Sequence, residues 1–527
     1  MRFAGRTFLF FILFTGLIFS VSCRQRKSEA VTIALTEKFS GLDTLSNTGT
    51  DAAADRVRTL IYNSLVKKND KFEYVGELGD YQIGDDNLTV TFTLKDNIKF
   101  HNGKVLTAAD VKYTFDALFQ ANGSKAGSFY DSVADETDPE KKKTKRVAQI
   151  TSLETPDTKT VIFKVTRPEL VNQLLSNFVT IPIIPEGTIE QQKTAPIGTG
   201  AFKFVNFDQL SSFVQLEAFP DYWEGAPKIA KLNVKTVPDP NALQNELLSG
   251  SVDISPNPTI LSPDALKVIG DSGSLNVVRF PGSNIQYIGF NTQVSPFNNV
   301  KVRQAVAYSI DREKIINELL SGQAKLAYSI LPEDSWAFTT GTKYSYNPTK
   351  AKQLLQDAGY KGEVVKFKYA SGNQTVNQFA QVIQNSLKDM GFNIELEPLE
   401  PNTVLDNLKT GQFQMNTSIW IGGNQDPIFF RDLFASTDFP DKKLNGRNRA
   451  RYSNSEFDKI ITEAVQTTDK AKAKELYAKA QEIISNDVPL MPLWYPSSMV
   501  ISSKRIGNVK INPSGDWGFV KDLTVSN

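Results

Sequence analysis

Cysteine and histidine, two of the residues that most often do chemistry in proteins, each occur once in this chain, as Cys23 and His101. A structural zinc site needs four such ligands, so the chain cannot build a four-cysteine site or a mixed cysteine and histidine site. The string Gly-Asp-Ser-Gly at 270–273 is of the kind that carries a nucleophilic serine. Such a serine needs a general base, and the lone His101 belongs to a Phe-His-Asn-Gly turn. We therefore expect no catalytic residue of this type, no bound metal and no cofactor.

Charge and composition narrow the class of protein further. The 527 residues include 59 Lys+Arg and 58 Asp+Glu, for a formal net charge of +1, and 40% of them are hydrophobic. This balance predicts a folded protein of two to four domains and argues against a nucleic-acid partner. No GxxxxGK[ST] string is present, so the chain is not itself an ATPase. Among enzymes, the composition leaves open a hydrolase with paired carboxylates, although no spacing identifies the pair.

The beginning of the sequence reads as an export signal. Arg2 and Arg6 precede an apolar run over 8–19, which is too short to span a bilayer and has the length of a signal-peptide core. The string Ser-Val-Ser-Cys at 20–23 resembles a bacterial lipobox, with Ser20 where leucine is usual. We expect residues 1–22 to be a signal peptide and Cys23 to carry the lipid. The alternative is ordinary secretion, with cleavage nearby and a free thiol.

The elements that must position any site alternate between short strands and amphipathic helices. Alternating apolar residues predict a strand over 88–94, and Thr107 with Asp110 predicts a capped helix start. Farther on, the patterns predict a helix from Asn347-Pro348 to Gly359 and a strand over 364–369, then a helix ending at Gly391. Another predicted helix carries Val302, Ala305, Val306 and Ser309 on one face, with Arg303 facing outward or pairing with Asp311. This order indicates an α/β protein with at least two lobes.

A set of collinear motifs covers nearly the whole chain after Cys23. The set resembles the bacterial extracellular solute-binding proteins of family 5, the receptors of oligopeptide, dipeptide and nickel ABC importers. Its members here are Tyr62–Leu65 (YNSL), 94–115 (LKDNIKFHNGKVLTAADVKYTF), 198–202 (GTGAF), 222–227 (YWEGAP), 248–253 (LSGSVD), 290–291 (FN), 296–305 (PFNNVKVRQA), 310–312 (IDR), 426–427 (DP) and 489–493 (PLMPL). The same motif order would be improbable by chance, although each piece alone is weak.

The resemblance implies a two-lobed fold of the periplasmic-binding-protein or Venus flytrap kind. The first lobe is discontinuous in sequence and carries an extra domain, and the ligand binds in a cleft between the lobes, where closure is a hinge motion. The expected divisions are a signal peptide at 1–22, a lipid tether at 23–30, a first lobe at 31–50, 170–280 and 495–527, an extra subdomain at 51–169, and a second lobe at 281–494.

The resemblance also suggests where the ligand would lie. Peptide receptors of the family hold the ligand's amine with an Asp three residues after a characteristic Trp, which corresponds here to Trp420. Gly423 stands at the Asp position, so a peptide ligand is not assured. Asp426 could take the role, and the alternative is that it forms a turn before Pro427. Trp420 is either a ligand contact or a core residue at a strand end.

Other candidate contacts lie on three further segments. Thr50 and Asp51 end a polar loop that corresponds to the first-lobe wall of the cleft. Tyr287 and Asn291 lie on or near one strand, where alternation makes packing and cleft-facing positions equally possible. Arg447, Arg449 and Arg451 lie in one loop, which could attract an anionic ligand but is more simply read as solvated.

Together these observations predict a lipid-anchored, exported receptor on the outer side of a membrane. We expect it to be a monomer that binds a peptide or similar small solute and serves ABC permease subunits with separate ATPase subunits. Two alternatives stay open at this point, the exported carboxylate-dependent hydrolase and a sensing or chaperone-like lipoprotein on the same fold.

Overall fold

The computed structural model describes residues 30–39, 41–43, 45, 52–134, 137, 144–256, 258, 260–280, 282, 284–420, 427–440, 446–467, 469–511 and 516–526. Within these ranges the strands are β1 (Ala30–Leu35), β2 (Val66–Lys68), β3 (Tyr74–Gly76), β4 (Gly79–Ile83), β5 (Thr89–Leu94), β6 (Tyr130–Ala134), β7 (Thr144–Ala148), β8 (Ile150–Glu154), β9 (Thr160–Val165), β10 (Phe202–Asp208), β11 (Phe213–Ala218), β12 (Lys231–Thr236), β13 (Ile254–Pro256), β14 (Leu275–Phe280), β15 (Ile285–Phe290), β16 (Ala324–Leu326), β17 (Val364–Ala370), β18 (Asn393–Leu399), β19 (Met415–Trp420), β20 (Leu490–Pro496), β21 (Ser498–Ser503), β22 (Ile506–Gly507) and β23 (Thr524–Val525).

Helices alternate with these strands. They are α1 (Ala52–Ile61), α2 (Ala108–Ala121), α3 (Ser124–Gly127), α4 (Leu170–Phe178), α5 (Pro240–Ser249), α6 (Pro263–Asp271), α7 (Val300–Ser309), α8 (Arg312–Lys314), α9 (Pro348–Asp357), α10 (Gln374–Met390), α11 (Pro401–Thr410), α12 (Phe429–Phe434), α13 (Ser455–Gln466) and α14 (Lys470–Asp487). In the part of the chain that the structure describes, no helix combines the length and the apolar character needed to span a bilayer.

The predicted helix boundaries follow from local capping. Asp110 reaches back to the backbone N–H of Thr107, which closes the predicted capping box at the start of α2. The side chain of Asn347 accepts a hydrogen bond from Lys350 at the start of α9, and α10 ends at Gly391 in the left-handed conformation. The structure confirms these predicted elements. They were predictable because a few neighbouring residues determine each boundary.

Two large mixed sheets form the two lobes, and a smaller antiparallel sheet extends the first lobe. The first-lobe sheet has the strand order β10-β11-β12-β1-β13-β21-β14, the second-lobe sheet has the order β16-β20-β15-β19-β17-β18, and the small sheet has the order β4-β5-β9-β8. Because β21 returns to the first sheet after the whole second lobe has been completed, the first lobe is discontinuous. This arrangement confirms the predicted two-lobed α/β fold.

The chain passes between the lobes twice, at adjacent places. One crossover joins β14 to β15 through Gly282, and the other joins β20 to β21 at Pro496 and Ser497. A Cβ on Gly282 would lie 1.8 Å from the carbonyl oxygen of Pro496, so the two crossovers are in backbone contact. Two short, touching connections of this kind are the geometry expected of a hinge between lobes.

His101 has a structural position in the first lobe. Its Nδ1 accepts a hydrogen bond from the N–H of Gly198 at 3.3 Å, and its Nε2 lies 2.9 Å from the carbonyl oxygen of Gly200. The neutral imidazole with its proton on Nε2 satisfies both contacts. Burial lowers the pKa of His101 to about 4. Both ring nitrogens are therefore occupied in joining the turn at 198–202 to the strand end.

We expect the contribution of His101 to stability to fall as the pH falls from about 6.5 to about 4. Its pKa is lower in the folded than in the unfolded chain, so only the unfolded chain takes up the proton in this window, which lowers the stability by up to about 3 kcal/mol. Burial raises the pKa of Glu77 to about 7, and this shift changes the stability in the opposite direction as the pH falls. The measurement is therefore the difference in unfolding free energy between the native protein and His101→Gln at pH 7.5, 5.5 and 4. A difference that stays constant with pH would contradict the assignment.

Candidate functional site

A shallow recess lies on one face of the second-lobe sheet. The pairing of β15 with β19 places Tyr287 opposite Ser418 and Gly289 opposite Asn416, so alternate residues of both strands point to this face. Their neighbours Ile288 and Met415 point to the other face and join the main core of the second lobe. The sheet thus supplies a rigid floor for the recess.

Tyr287 and Asn416 form that floor around a glycine. A Cβ on Gly289 would lie 2.6 Å from Oδ1 of Asn416 and 3.4 Å from the ring of Tyr287, so only glycine leaves both side chains this close. Burial raises the pKa of Tyr287, while the positive charge of Arg449 and a hydrogen bond with Ser418 act against that increase. The Tyr287 hydroxyl therefore remains protonated at neutral pH and is available as a donor or acceptor.

Trp420 packs at the strand end, as the core interpretation predicted, and its role as a ligand contact stays a prediction. Its half-buried ring packs edge-on against Phe429, with the ring centroids 5.9 Å apart. The ring also packs against two hydrophobic clusters, one that contains Ile285 and one that contains Phe430. The same ring lines the recess. Trp420 is thus a packing residue with one edge at the opening. Gly423 and Asp426 follow outside the described residues, as do Thr50, Asp51 and Cys23, and their predicted roles stay predictions.

Asn291 lies at the end of β15 and is engaged in backbone contacts. It is 1% exposed, its side-chain amide donates to the carbonyl of Gly411 at 3.0 Å, and its Oδ1 accepts from the N–H of Gln293. These bonds favour the packing interpretation of Asn291. Of the two candidate contacts predicted near this strand, only Tyr287 lines the recess.

The loop at 446–452 forms the wall of the recess and is held at its centre by Asn448. This side chain is fully buried, donates to the carbonyls of Ala435 and Tyr452, and accepts from the N–H of Tyr452. At the start of the loop, a Cβ on Gly446 would meet the carbonyl oxygens of Asp438 and Phe439 at 2.6 Å. The loop therefore has little freedom to move, although it contains no regular secondary structure.

Arg451 holds the other end of this loop and is buried. Its guanidinium donates to the carbonyls of Leu408 at 3.3 Å and Lys409 at 2.8 Å, at the C-terminal end of α11. A cation is favourable there because the last carbonyls of a helix lack partners within the helix. The interpretation of this loop as solvated is therefore wrong for Arg451, which is 8% exposed.

Arg447 and Arg449 extend from the same loop into the recess. Arg447 is partly exposed, lies over the ring of Phe429 at 5.2 Å, and has Nη1 3.8 Å from the carboxylate of Asp432. Arg449 is half-buried, and among the described residues its Nε atom is buried without a hydrogen-bond partner. The described residues that line the recess include Arg447 and Arg449 and no Asp or Glu. The sequence places these arginines in one loop, but no sequence pattern relates them to Tyr287, about 160 positions away.

Other chemistry suggested by the sequence has a structural explanation in the fold. The hydroxyl of Ser272 donates to the carbonyl of Ile269 at 2.7 Å and lies 2.9 Å from the hydroxyl of Ser274. His101 is bonded to Gly198 and Gly200 and does not serve Ser272 as a base. Within the described ranges, no group of three or more His, Cys, Asp or Glu side chains could hold a metal ion.

The two sheets, the paired crossovers and the recess on the second lobe define a two-lobed binding protein. The family model described as bacterial extracellular solute-binding proteins, family 5 Middle, matches residues 73–441. The chain therefore belongs to this family of solute-binding proteins, as the motif set had predicted.

Individual relatives and solved structures match over more of the chain than the family model does. The chain is 29% identical over 482 residues to heme-binding protein A of Haemophilus influenzae, with 87% of this chain and 86% of that protein covered. It is 27% identical over 486 residues to the dipeptide-binding protein of Escherichia coli K12, with 87% and 88% covered. The crystal structure of the ABC transporter substrate-binding protein CtaP from Listeria monocytogenes has a TM-score of 0.80 at 24% identity, covering 94% of this chain and 99% of that one. At that identity the last likeness shows the fold alone.

Proposed function

We propose that this protein is the substrate-binding receptor of an ABC importer, anchored to the outer side of a membrane through a lipid on Cys23. It binds a peptide or similar small solute in the cleft between the lobes and delivers the solute to permease subunits that work with separate ATPase subunits. Membership in the family carries this proposal. The printed names of the two relatives include heme and a dipeptide, so family membership by itself does not name the solute.

The mechanism follows from the hinge. Rotation about the two crossovers brings the lobes together without unfolding either sheet. A solute shifts the equilibrium toward the closed form only to the extent that it binds that form better than the open form. The permease then distinguishes loaded from empty receptor by the closed shape, and no covalent step is needed.

Calorimetric titration against a panel of defined solutes tests this proposal. The panel contains di- to pentapeptides, heme, sugars and nickel–histidine, and each member is also tested for an increase in melting temperature. We expect one chemical class to bind and to stabilise the folded protein, because a ligand that binds only the native state raises its stability. A panel without any binder would contradict the receptor assignment.

One ion pair connects the two lobes and predicts a selective effect on affinity. Lys470, the first residue of α14, contacts the carboxylate of Glu73, which precedes β3 on the first-lobe side. Lys470→Glu would place two carboxylates at this contact. We expect solute affinity to fall by up to about five-fold, since exposed ion pairs contribute about 1 kcal/mol or less.

The matched control lies two residues farther along the same helix. Lys472 pairs with Glu463 of α13 at 2.7 Å, entirely within the second lobe, and is similarly exposed. Lys472→Glu should leave solute affinity unchanged, whereas Lys470→Glu should weaken binding. The solute affinity of the Lys470→Glu variant should also depend less on salt concentration than that of the native protein. Equal effects of the two changes would mean that the contact between the lobes does not favour closure.

A further inference from the structure

We propose that Arg449 and the floor of the recess form a subsite for an oxyanionic group of the solute, a carboxylate or a phosphate. This inference rests on the proposed function and names the chemical class of the ligand. The subsite consists of the Arg449 guanidinium, the Tyr287 hydroxyl and the Asn416 side chain, with Arg447 at the entrance.

The first observation is that the Nε–H of Arg449 lacks a hydrogen-bond partner among the described residues. This Nε–H is buried and, within the described part of the chain, donates to no oxygen, whereas the loop neighbour Arg451 donates to helix carbonyls. A buried donor that loses water without gaining a partner is unfavourable, so a group of this kind calls for a ligand acceptor. The planar guanidinium fits a carboxylate or phosphate through two parallel hydrogen bonds.

The second observation is the charge of the surrounding surface. The described lining of the recess contains two arginines and no carboxylate. Arg447 has Asp432 within 3.8 Å of Nη1, so its charge is partly balanced, while no ion pair of Arg449 is present within the described ranges. A site of this composition favours an anion and disfavours an ammonium group.

The third observation is that the loop is held in place before any ligand arrives. Asn448 is buried directly between the two arginines, and Arg451 binds the end of α11. Because both anchors are independent of solute, the backbone that carries Arg449 need not be ordered on binding. Such preorganisation reduces the entropy lost on binding and increases affinity.

The test uses the purified full-length protein and four probes: N-acetyl-dialanine, its C-terminal amide, glutarate and inorganic phosphate. Calorimetry and thermal shift are measured for the native protein, Arg449→Gln, Arg449→Lys and Lys479→Gln. Lys479 lies on the exposed side of α14, paired with Glu475, and serves as the control. Carboxylate and phosphate probes separate the two possible sources of the oxyanion.

We expect the native protein to bind at least one oxyanionic probe, and N-acetyl-dialanine about ten-fold more tightly than its amide if the oxyanion is a carboxylate. Arg449→Gln should lose this preference, Arg449→Lys should retain part of it, and Lys479→Gln should retain all of it. Oxyanion affinity that is unchanged in a folded Arg449→Gln protein would overturn the subsite. Equal affinity for carboxylate and amide, without phosphate binding, would also overturn it while leaving the receptor function intact. Failure of the receptor function itself would appear as the absence of any binder in the wider solute panel.

Discussion

Replacing Asp253 by Asn is expected to lower the free energy of unfolding by about 3–5 kcal/mol. Asp253 is 3% exposed and pairs through both oxygens with Arg505, at 2.6 Å from Nε and 2.7 Å from Nη2. It also accepts from the N–H of Thr32 on β1. The change removes the carboxylate charge that faces the Arg505 guanidinium and points an amide group at existing donors. Chemical denaturation followed by fluorescence measures the loss.

The control for this prediction is Asp271→Asn. Asp271 and Lys267 form an ion pair with the same 2.6 Å contact, but both side chains are 68% exposed. Solvent screening makes such a pair worth about 1 kcal/mol or less. If the two changes had similar effects, burial would not be the cause of the Asp253 contribution. A smaller loss in the double variant Asp253→Asn with Arg505→Met than in the single change would locate the loss in the interaction between these two side chains.

Replacing Gly282 by Ala is expected to disturb the hinge strongly. The added Cβ would lie 1.8 Å from the carbonyl oxygen of Pro496 and 3.2 Å from the nitrogen of Ser498, so the two crossovers must separate. Forcing an atom into closely packed structure costs about 1–3 kcal/mol or more, and here the neighbour is backbone that cannot change rotamer. We expect lower melting temperature and weaker solute binding together, measured by calorimetry.

Gly270→Ala is the matched substitution. Gly270 lies inside α6, and a Cβ there meets no atom within 4 Å beyond its own helix. Alanine is a better helix former than glycine, so this change should leave solute binding intact and stabilise the protein slightly. If Gly282→Ala were equally harmless, the crossovers would not be in the close contact that the hinge requires.

Local patterns in the sequence predicted the elements well and the long-range contacts poorly. Asp253 belongs to the motif at 248–253, but its partner Arg505 is 252 positions away and lies in no motif. The pairing depends on β21 returning beside β13, which only the complete topology determines. The motif therefore identified Asp253 but gave no indication of its ion pair with Arg505.

The buried arginines show a second limit. Arg303 was expected to face outward or to pair with Asp311, and this is wrong, since it is 5% exposed and donates to the carbonyls of Phe297 and Asp487. Arg451 likewise binds carbonyls at the end of a helix. Both satisfy backbone groups of elements distant in the sequence, and helical periodicity carries no information about such groups.

The candidate site was only partly predictable, because some of its residues lie in loops without a periodic pattern. Tyr287 was chosen from its position on a strand and Trp420 from the family resemblance, and both line the recess. The loop that adds Arg447 and Arg449 has no periodic pattern, and Gly446, Asn448 and Arg451 hold its path. The roles predicted for Gly423, Asp426, Thr50 and Asp51 remain predictions.

Small-angle X-ray scattering of the receptor with and without a saturating solute, chosen from the calorimetric panel, tests the central claim most directly. Closure about the crossovers predicts a smaller radius of gyration in the loaded protein, and a reduced response in Gly282→Ala. A radius of gyration that is identical in the empty and saturated states would contradict an account in which solute binding closes the two lobes.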